Sequence, residues 1–232
     1  MINERILKRL NITDAQAGGK KGSATVDHIL ILKEVVKLAK KKGINLDISL
    51  LDVTKAYDKA WLTGIMYVLY KQGLQDNHWT MVKKLNENLR AKIQTKHGNT
   101  RTIKIKDSIR QGGVLSTTLY GILMDEISKA LENEETGIEL IEGALKIGSL
   151  LWVDDVIVLE EEGKLQPPLD ITNETSNIYH IEYGEPKSNS MTIRNNRKKP
   201  INKNYNIGPM KLKRTDKYKY LGYLQNEKKQ QR

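Results

Sequence analysis

Three aspartates in two separate segments have the residue type and the setting that metal-dependent chemistry needs. Asp154 and Asp155 stand side by side in the stretch SLLWVDDVIVL, between two apolar runs. Asp52 ends another largely apolar stretch, INLDISLLD. Carboxylates that come close together raise each other's pKa, and a hard divalent cation such as Mg²⁺ removes that cost. On the dipeptide alone, a simple polar turn is the better interpretation of Asp154-Asp155, so its meaning depends on the rest of the chain.

The apolar patterns predict elements that place these aspartates at strand ends. Alternating apolar residues over 44–50 predict a strand that ends at Asp52. The apolar runs on both sides of Asp154-Asp155 predict a hairpin with the pair at its tip. If these strands are neighbours in one sheet, the three carboxylates meet at one edge. Two ions held there could stabilise both the attacking and the leaving oxygen of a phosphoryl transfer.

The remaining elements alternate irregularly and include two hairpins, which favours an α+β fold over a doubly wound parallel sheet. The patterns predict helices over 1–15, 26–42, 55–73, 79–89, 114–131 and 168–179, a further hairpin around 97–99, and short strands around 191–193 and 218–224.

Composition excludes several classes of protein. The 232 residues contain no cysteine and four histidines, so disulfides and thiolate metal sites are excluded and a zinc site is disfavoured. No apolar run approaches the roughly 18–20 residues of a membrane span, and the N-terminus lacks the apolar centre of a signal peptide. We therefore expect an intracellular protein, in the nucleus or the cytoplasm, that does not bind a membrane.

The net charge of +11 is concentrated near the C-terminus. Residues 187–232 contain 14 Lys and Arg but only two Asp and Glu, whereas residues 1–186 are almost neutral. A basic stretch of this kind indicates contact with a polyanion, most often a nucleic acid. A solvated tail is the alternative.

Six segments in order resemble the successive motifs of reverse transcriptases, in the style of non-LTR retrotransposon enzymes, with group II intron enzymes as the nearest relatives. The segment that resembles the fingers motif is AQAGGKKGSATVDHILILKEVV (15–36). Those that resemble the palm motifs are LLDVTKAYDKAW (50–61), SIRQGGVLSTTLYGILMDEIS (108–128), LLWVDDVIVL (150–159), EYGEPKSNSMTI (182–193) and YKYLGYL (218–224).

The resemblance implies a right-hand polymerase of the α+β class, with fingers and an antiparallel palm sheet backed by helices, and with the thumb absent. The implied division assigns residues 1–45 to the fingers, 46–83 to the first part of the palm, 84–110 to a hairpin insert between fingers and palm, 111–225 to the second part of the palm, and 226–232 to a basic tail.

The resemblance also implies the site residues. Asp52, Asp154 and Asp155 match the catalytic carboxylates that bind two Mg²⁺ ions, for which Mn²⁺ is a substitute, and the backbone of Val53 matches the position beside the metals. Tyr57 matches the aromatic gate that excludes a ribose 2′-OH. The other matches are Arg110, Gln111 and Gly112 against the nucleotide and template, Lys187 near the triphosphate, Lys20 and Lys21 in the fingers loop, and Leu221 and Gly222 in the primer grip.

The implied activity is RNA-directed DNA polymerisation, in which a primer 3′-OH attacks the α-phosphate of a dNTP. The implied partners are an RNA template with a DNA primer, dNTPs, and further domains of a longer polyprotein. The alternative is a decayed or truncated copy that only binds nucleic acid, since Gly19, Ser23, Thr117 and Trp152-Val153 depart from the family's usual residues. A P-loop hydrolase is excluded because GGKKGS does not have the spacing G-x-x-x-x-G-K-[ST].

Overall fold

A computed structural model describes residues 2–105, 107–113, 115–141, 143, 145–194 and 203–226. The helices are α1 (Ile2–Leu7), α2 (Thr25–Lys41), α3 (Leu62–Lys71), α4 (Asn77–Asn86), α5 (Ser116–Asn133) and α6 (Gln166–Ile178). The strands are β1 (Leu46–Asp52), β2 (Arg90–Ala91), β3 (Gln94–Thr95), β4 (Gly98–Asn99), β5 (Ile103–Lys104), β6 (Ile138–Ile141), β7 (Leu145–Ile147), β8 (Ser149–Trp152), β9 (Asp155–Glu161), β10 (Asn189–Ile193), β11 (Asn206–Ile207), β12 (Met210–Lys211), β13 (Lys213–Arg214), β14 (Lys217–Tyr220) and β15 (Tyr223–Asn226).

The central sheet has five strands in the order β13-β10-β1-β9-β8. β1 lies in the middle and pairs antiparallel with both β9 and β10, and β8 pairs antiparallel with β9. The predicted α+β fold with an antiparallel sheet is confirmed. One pair departs from this pattern, because β10 and the short edge strand β13 are parallel.

Helices cover both faces of the sheet, so the molecule has three layers. Apolar residues of α2 pack on one face, against alternate residues of β1 such as Leu46 and Ile48. α3, α5 and α6 pack on the other face, where Leu51 of β1 joins the larger of the two cores. β1 is therefore buried on both sides, which explains why its polar residues Asp47 and Ser49 are also inaccessible to solvent.

Asp47 is satisfied inside the sheet by donors from three other segments. Its carboxylate accepts hydrogen bonds from the Thr192 hydroxyl at 2.6 Å and the Gly163 backbone N–H at 2.7 Å. The Tyr205 hydroxyl donates a third. Burial raises the pKa of Tyr205, and the neighbouring Asp47 raises it further, so this hydroxyl keeps its proton and remains a donor. Asp47 thus joins β1, β10, the end of β9 and the segment that precedes β11.

Two predicted helices begin or end in the wrong place. The helix predicted over 1–15 ends at Leu7, because the next backbone groups bond elsewhere: Asn11 N–H donates to Gln72 and Thr13 N–H to Asp125. The helix predicted from residue 55 begins at Leu62, because Lys55 has a left-handed backbone with φ of 50° that turns the chain away from β1. The other predicted helices and both hairpins are present, with ends shifted by a few residues.

None of the helices in the described ranges has the length and the apolar content needed to cross a membrane. The predicted basic tail falls outside the described residues from 227 onward. The division into fingers and palm stays a prediction.

Candidate active site

The register of the central sheet brings the candidate carboxylates to one end of it. Asp52, the last residue of β1, lies directly opposite Asp155, the first residue of β9. Asp155 in turn pairs with Trp152, so Val153 and Asp154 form the two-residue turn between β8 and β9. All three aspartates are half-buried. The structure therefore places them as the sequence patterns predicted, with one detail added: Asp154 is in the turn and Asp155 is in the strand.

The turn that carries Asp154 has an unusual backbone. Two-residue hairpin turns need positive φ, and here Val153 adopts it, with φ of 58°. This conformation is unfavourable for a β-branched residue and persists only where the surroundings fix it. Gln16 does so from the N-terminal loop. Its side-chain oxygen accepts the Val153 N–H at 3.0 Å, and its Nε2 donates to the Val153 carbonyl at 3.4 Å.

The same loop lies along the outer edge of β8. Leu151 N–H donates to the Ala15 carbonyl at 2.8 Å, and Ala17 N–H donates to the Leu151 carbonyl at 3.1 Å. Gly18 then passes so close to the turn that a Cβ on it would lie 2.4 Å from the Val153 nitrogen. Neither Gln16 nor Gly18 was identified from the sequence as a site residue, because an uncharged Gln and a Gly in a loop give no chemical signal.

Substitution of Gly18 by alanine should therefore displace the Asp154 turn. We expect Gly18→Ala to lower the free energy of unfolding by about 1–3 kcal/mol, as overpacking does elsewhere. We also expect it to reduce the primer extension that the resemblance implies by more than this loss of folded protein explains. Melting temperature and primer extension would measure the two effects. Gly22→Ala is the control, because a Cβ added to that glycine, at φ of 87°, would meet nothing within 4 Å and should cost only backbone strain. Full activity in Gly18→Ala would contradict the proposed contact.

The segment before β10 surrounds Asp52. Gly184 N–H donates to the Asp52 carbonyl at 2.8 Å, and Asp52 N–H donates to the Ser188 hydroxyl at 3.2 Å. The Lys187 ammonium, on a mostly exposed side chain, lies 3.4 Å from the Asp52 carboxylate. This contact brings Lys187 into the carboxylate cluster. Its position near the triphosphate, which the resemblance implies, stays a prediction.

The carboxylates of the turn are hard to ionise together. Burial and, to a smaller extent, the charges of Asp154 and Asp52 together raise the pKa of Asp155 to about 6, against the opposing effect of Lys187. Burial also raises the pKa of Asp154, again with a contribution from Asp52. A cation at this point would relieve the repulsion that these shifts express.

The donor set fits Mg²⁺, which takes oxygen ligands, often from one or two carboxylates completed by substrate phosphates. Asp52, Asp154 and Asp155 are the residues that would hold it, with the Val53 backbone beside them. Within the described residues, no three acidic or histidine side chains are already gathered closely enough to form an ion site by themselves.

A cleft of about 420 Å³ opens beside the carboxylates. Tyr57 lines it, with its ring packed against Tyr120 at 5.7 Å between centroids. Gln111 also lines it, together with Val53, Lys187 and two of the aspartates. Arg110 and Gly112 are exposed in the same loop, and Gly112 has φ of 80°. The loop is joined to the Tyr57 backbone by a hydrogen bond from Ile109 N–H at 3.0 Å.

Lys20 and Lys21 are oriented toward the N-terminal segment and are not among the residues that line this cleft. The Lys20 ammonium donates to the carbonyls of Ile12 and Thr13, and the Lys21 ammonium lies 3.1 Å from Glu4. Their assignment to the triphosphate stays a prediction.

Leu221 and Gly222 form the tight turn between β14 and β15, with φ of 47° and 86°. Next to this turn, the Tyr220 hydroxyl lies 3.3 Å from Nδ1 of the buried His28 in α2. The His28 ring also meets the edge of Trp152 in β8, at 5.5 Å between centroids. Burial, together with Asp155 and Asp52, raises the pKa of Tyr218 to about 12, which indicates that this hairpin lies close to the carboxylates.

An antiparallel sheet with carboxylates clustered at one end, beside a lysine and an open cleft, is typical of the palm of a nucleic-acid polymerase. A family model described as reverse transcriptase (RNA-dependent DNA polymerase) matches residues 1–224, and the chain belongs to this family. The predicted resemblance to non-LTR retrotransposon enzymes is confirmed by its relatives. These comparisons do not test the role of any individual site residue.

Two curated relatives illustrate the likeness. A Pol polyprotein from the type-1 retrotransposable element R2 of Nasonia vitripennis is 28% identical over 206 residues, which are 84% of this chain and 20% of that protein. The RNA-directed DNA polymerase from the mobile element jockey of Drosophila funebris is 29% identical over 183 residues, 75% of this chain and 19% of that protein. The chain thus spans about a fifth of the length of these relatives.

The fold is similar to that of solved telomerases. Apo telomerase from Candida tropicalis, truncated from its C-terminal domain, superposes with a TM-score of 0.66 at 15% sequence identity. The match covers 97% of this chain and 43% of the telomerase chain. At this identity, the likeness concerns the fold alone.

Proposed function

We propose that this chain carries the polymerase site of a longer reverse transcriptase and extends a DNA primer along an RNA template. The observation that supports this most is the register of the sheet, in which Asp52 lies opposite Asp155 and next to the turn that holds Asp154. In a member of the reverse transcriptase family, this cluster beside a cleft fits phosphoryl transfer, with the primer 3′-OH attacking the α-phosphate of a dNTP and pyrophosphate leaving.

We propose that the three carboxylates hold two Mg²⁺ ions, for which Mn²⁺ can substitute. When bound, the ions would neutralise the negative charge that develops on the attacking and leaving oxygens. The chain itself contributes mainly positioning and charge. Lys187, on an exposed side chain 3.4 Å from Asp52, supplies a positive charge where the triphosphate would enter.

Tyr57 and the loop of residues 110–112 would select and orient the nucleotide. Tyr57 is proposed as the gate, because its ring is held against Tyr120 and would meet a ribose 2′-OH sterically. Gln111 faces the same cleft, and its neighbours Arg110 and Gly112 would contact the nucleotide and template from the rim. The Leu221-Gly222 turn would support the primer end, since it is fixed to α2 through Tyr220 and His28.

Primer extension tests the proposal directly. The chain would be incubated with an RNA template annealed to a DNA primer, dNTPs and Mg²⁺, beside the variants Asp154→Ala and Asp58→Asn. Asp58 is an exposed carboxylate that lines the same cleft, so its variant is a matched control. We expect extension by the wild type and Asp58→Asn, and none by Asp154→Ala.

Extension that survives in Asp154→Ala would refute the assignment of the carboxylates. Absence of extension in all three proteins, with RNA binding retained, would instead favour the alternative of a copy that only binds nucleic acid. We also propose that the protein acts inside the cell, in the nucleus or the cytoplasm, as part of a longer polyprotein.

A further inference from the structure

Residues 88–106 are called the basic arm here, and those of them that the structure describes, 88–105, form an exposed hairpin. Within it β2 pairs with β5, and β3 pairs with β4 nearer the tip. At the root, Ile105 N–H donates to the Leu89 carbonyl at 2.9 Å. Four residues later Ile109 bonds to the Tyr57 backbone, and Gln111 follows in the cleft wall. The arm therefore extends from the same stretch of chain that forms the rim of the candidate active site.

The charge of the basic arm is entirely positive. It contains six Lys and Arg and no Asp or Glu, at positions 90, 92, 96, 101, 104 and 106. The first five of these, all within the described residues, are exposed and make no ion pair with any other described side chain. This contrasts with lysines elsewhere, such as Lys129, which lies 3.0 Å from Asp125.

The register of the arm places two of these charges side by side. Arg90 lies directly opposite Lys104, and Lys92 follows just beyond the end of β2. Like charges placed opposite each other destabilise a hairpin, and no acidic residue of the arm offsets them. A polyanion laid against this pair would remove the repulsion.

The next pair of the arm is apolar. Ala91 pairs with Ile103, on the face opposite that of Arg90 and Lys104, and Ile93 follows two residues after Ala91. Ile93 and Ile103 remain 57% and 44% exposed. The two faces can therefore be altered independently, which provides a control within the arm itself.

We propose that the charged face of the basic arm binds the sugar–phosphate backbone of the nucleic acid outside the cleft. Exposed Lys and Arg without acidic partners, on a hairpin whose chain continues into the cleft wall, fit phosphate contacts, which fix the position of a strand without reading its sequence. The proposal rests on the proposed function for the choice of a nucleic acid over an acidic protein. It extends that function, because none of the charged residues of the arm is among those that line the cleft.

The test measures binding without catalysis. Fluorescence anisotropy would follow the affinity of the whole chain for a labelled single-stranded RNA and a labelled RNA–DNA hybrid over a range of salt concentrations. The arm variant is Arg90→Gln, Lys92→Gln and Lys104→Gln together. Each phosphate contact contributes roughly 0.7–0.9 to the slope of log K against log salt, so we expect the slope to fall by about two to three. At about 0.1 M salt the affinity should fall about 100-fold.

Two controls make the result specific. In the first, Lys37→Gln, Lys40→Gln and Lys41→Gln remove the same charge from the exposed side of α2, and the slope should stay unchanged. In the second, Ile93→Thr with Ile103→Thr alters only the apolar face, and the slope should again stay unchanged. A smaller salt slope for the arm variant on either probe supports the proposal. The probe on which the slope falls identifies the strand that the arm contacts.

The proposal is overturned if the arm variant keeps the wild-type salt slope on both probes, or if the α2 variant loses as much. The first result would leave an acidic protein as the partner of the arm, and the second would show that binding depends only on the net charge of the chain. The outcome is independent of catalysis. A chain that binds through the arm but never extends a primer would refute the proposed function alone, and a chain that extends primers with an arm variant of unchanged slope would refute this inference alone.

Discussion

Asp155→Asn should abolish primer extension and, at the same time, raise the melting temperature of the metal-free protein. Removal of one carboxylate from the proposed metal site takes away several kcal/mol of transition-state stabilisation, which corresponds to a loss of about 10³-fold in rate. The gain in stability comes from the folded state, where Asp155 is half-buried opposite Asp52 and next to Asp154. Asparagine fills the same space without a charge.

The gain should depend on pH in a definite direction. The pKa of Asp155 is raised in the folded state to about 6 from an ordinary value of 3.8, so between these values the folded protein binds more protons than the unfolded chain. The destabilisation is therefore fully present above about pH 6 and disappears as the pH falls to about 4. Since Asp155 is partly solvated, we expect a gain on the order of 1 kcal/mol at neutral pH, or about 2–4 °C.

Thermal unfolding in the presence of a chelator at about pH 7.5 and about pH 4 would measure both parts. Added Mg²⁺ should raise the melting temperature of the wild type and leave Asp155→Asn almost unchanged. Asp58→Asn, at the exposed carboxylate of the same cleft, should change neither stability nor extension. A variant that is less stable than the wild type at neutral pH would show that the carboxylates do not repel each other in the folded state.

Asp47→Ala should produce the largest loss of stability of any substitution proposed. It would leave the buried donors of Thr192 and Tyr205, and the partly buried N–H of Gly163, without the acceptor they share. Each unsatisfied buried group costs about 1–3 kcal/mol, so we expect a loss of at least about 3 kcal/mol. Asp47→Asn, which keeps one carbonyl oxygen, should cost less.

Chemical denaturation would measure the loss, with Asp216→Ala at an exposed position as the control. Asp47 is five residues before Asp52, about 17 Å along the strand, so activity per folded molecule should be preserved. A midpoint of unfolding equal to that of the wild type would contradict the role of the buried carboxylate.

The elements that carry Asp52 and Asp155 could be predicted from sequence because each lies in an apolar run that must be buried as a strand. The register that sets them opposite each other could not, because it depends on which strands pair and on the turn at Val153. The pattern predicted a hairpin there but not the positive φ of Val153, since that conformation is held by Gln16, more than a hundred residues away in sequence.

The helix predicted over 1–15 was also too long, because residues distant in sequence bind the backbone after Leu7. Thr13 has an acceptable helical neighbourhood, yet its N–H and hydroxyl both bond to Asp125. The assignment of Lys20 and Lys21 to the triphosphate stays a prediction, and in this structure carbonyls and a carboxylate of the N-terminal segment contact them. Such contacts depend on the tertiary fold, which neither periodicity nor charge reveals.

Net charge summed over long segments drew attention to the C-terminal residues alone. Residues 1–186 are almost neutral in sum, which concealed the six positive charges of the basic arm behind acidic residues elsewhere. The arm became visible only when its register showed which of these charges share a face.

The N-terminal loop also covers one edge of the central sheet. A strand at the edge of a sheet offers unpaired N–H and C=O groups to any other chain, and Ala15 and Ala17 occupy those groups of Leu151 in β8. The other edge, β13, is only two residues long and presents little to pair with. A fragment that began after Ala17 would expose β8 and should tend to self-associate strand to strand. The short loop before α2 thus covers the edge of the central sheet as well as holding the turn of Asp154.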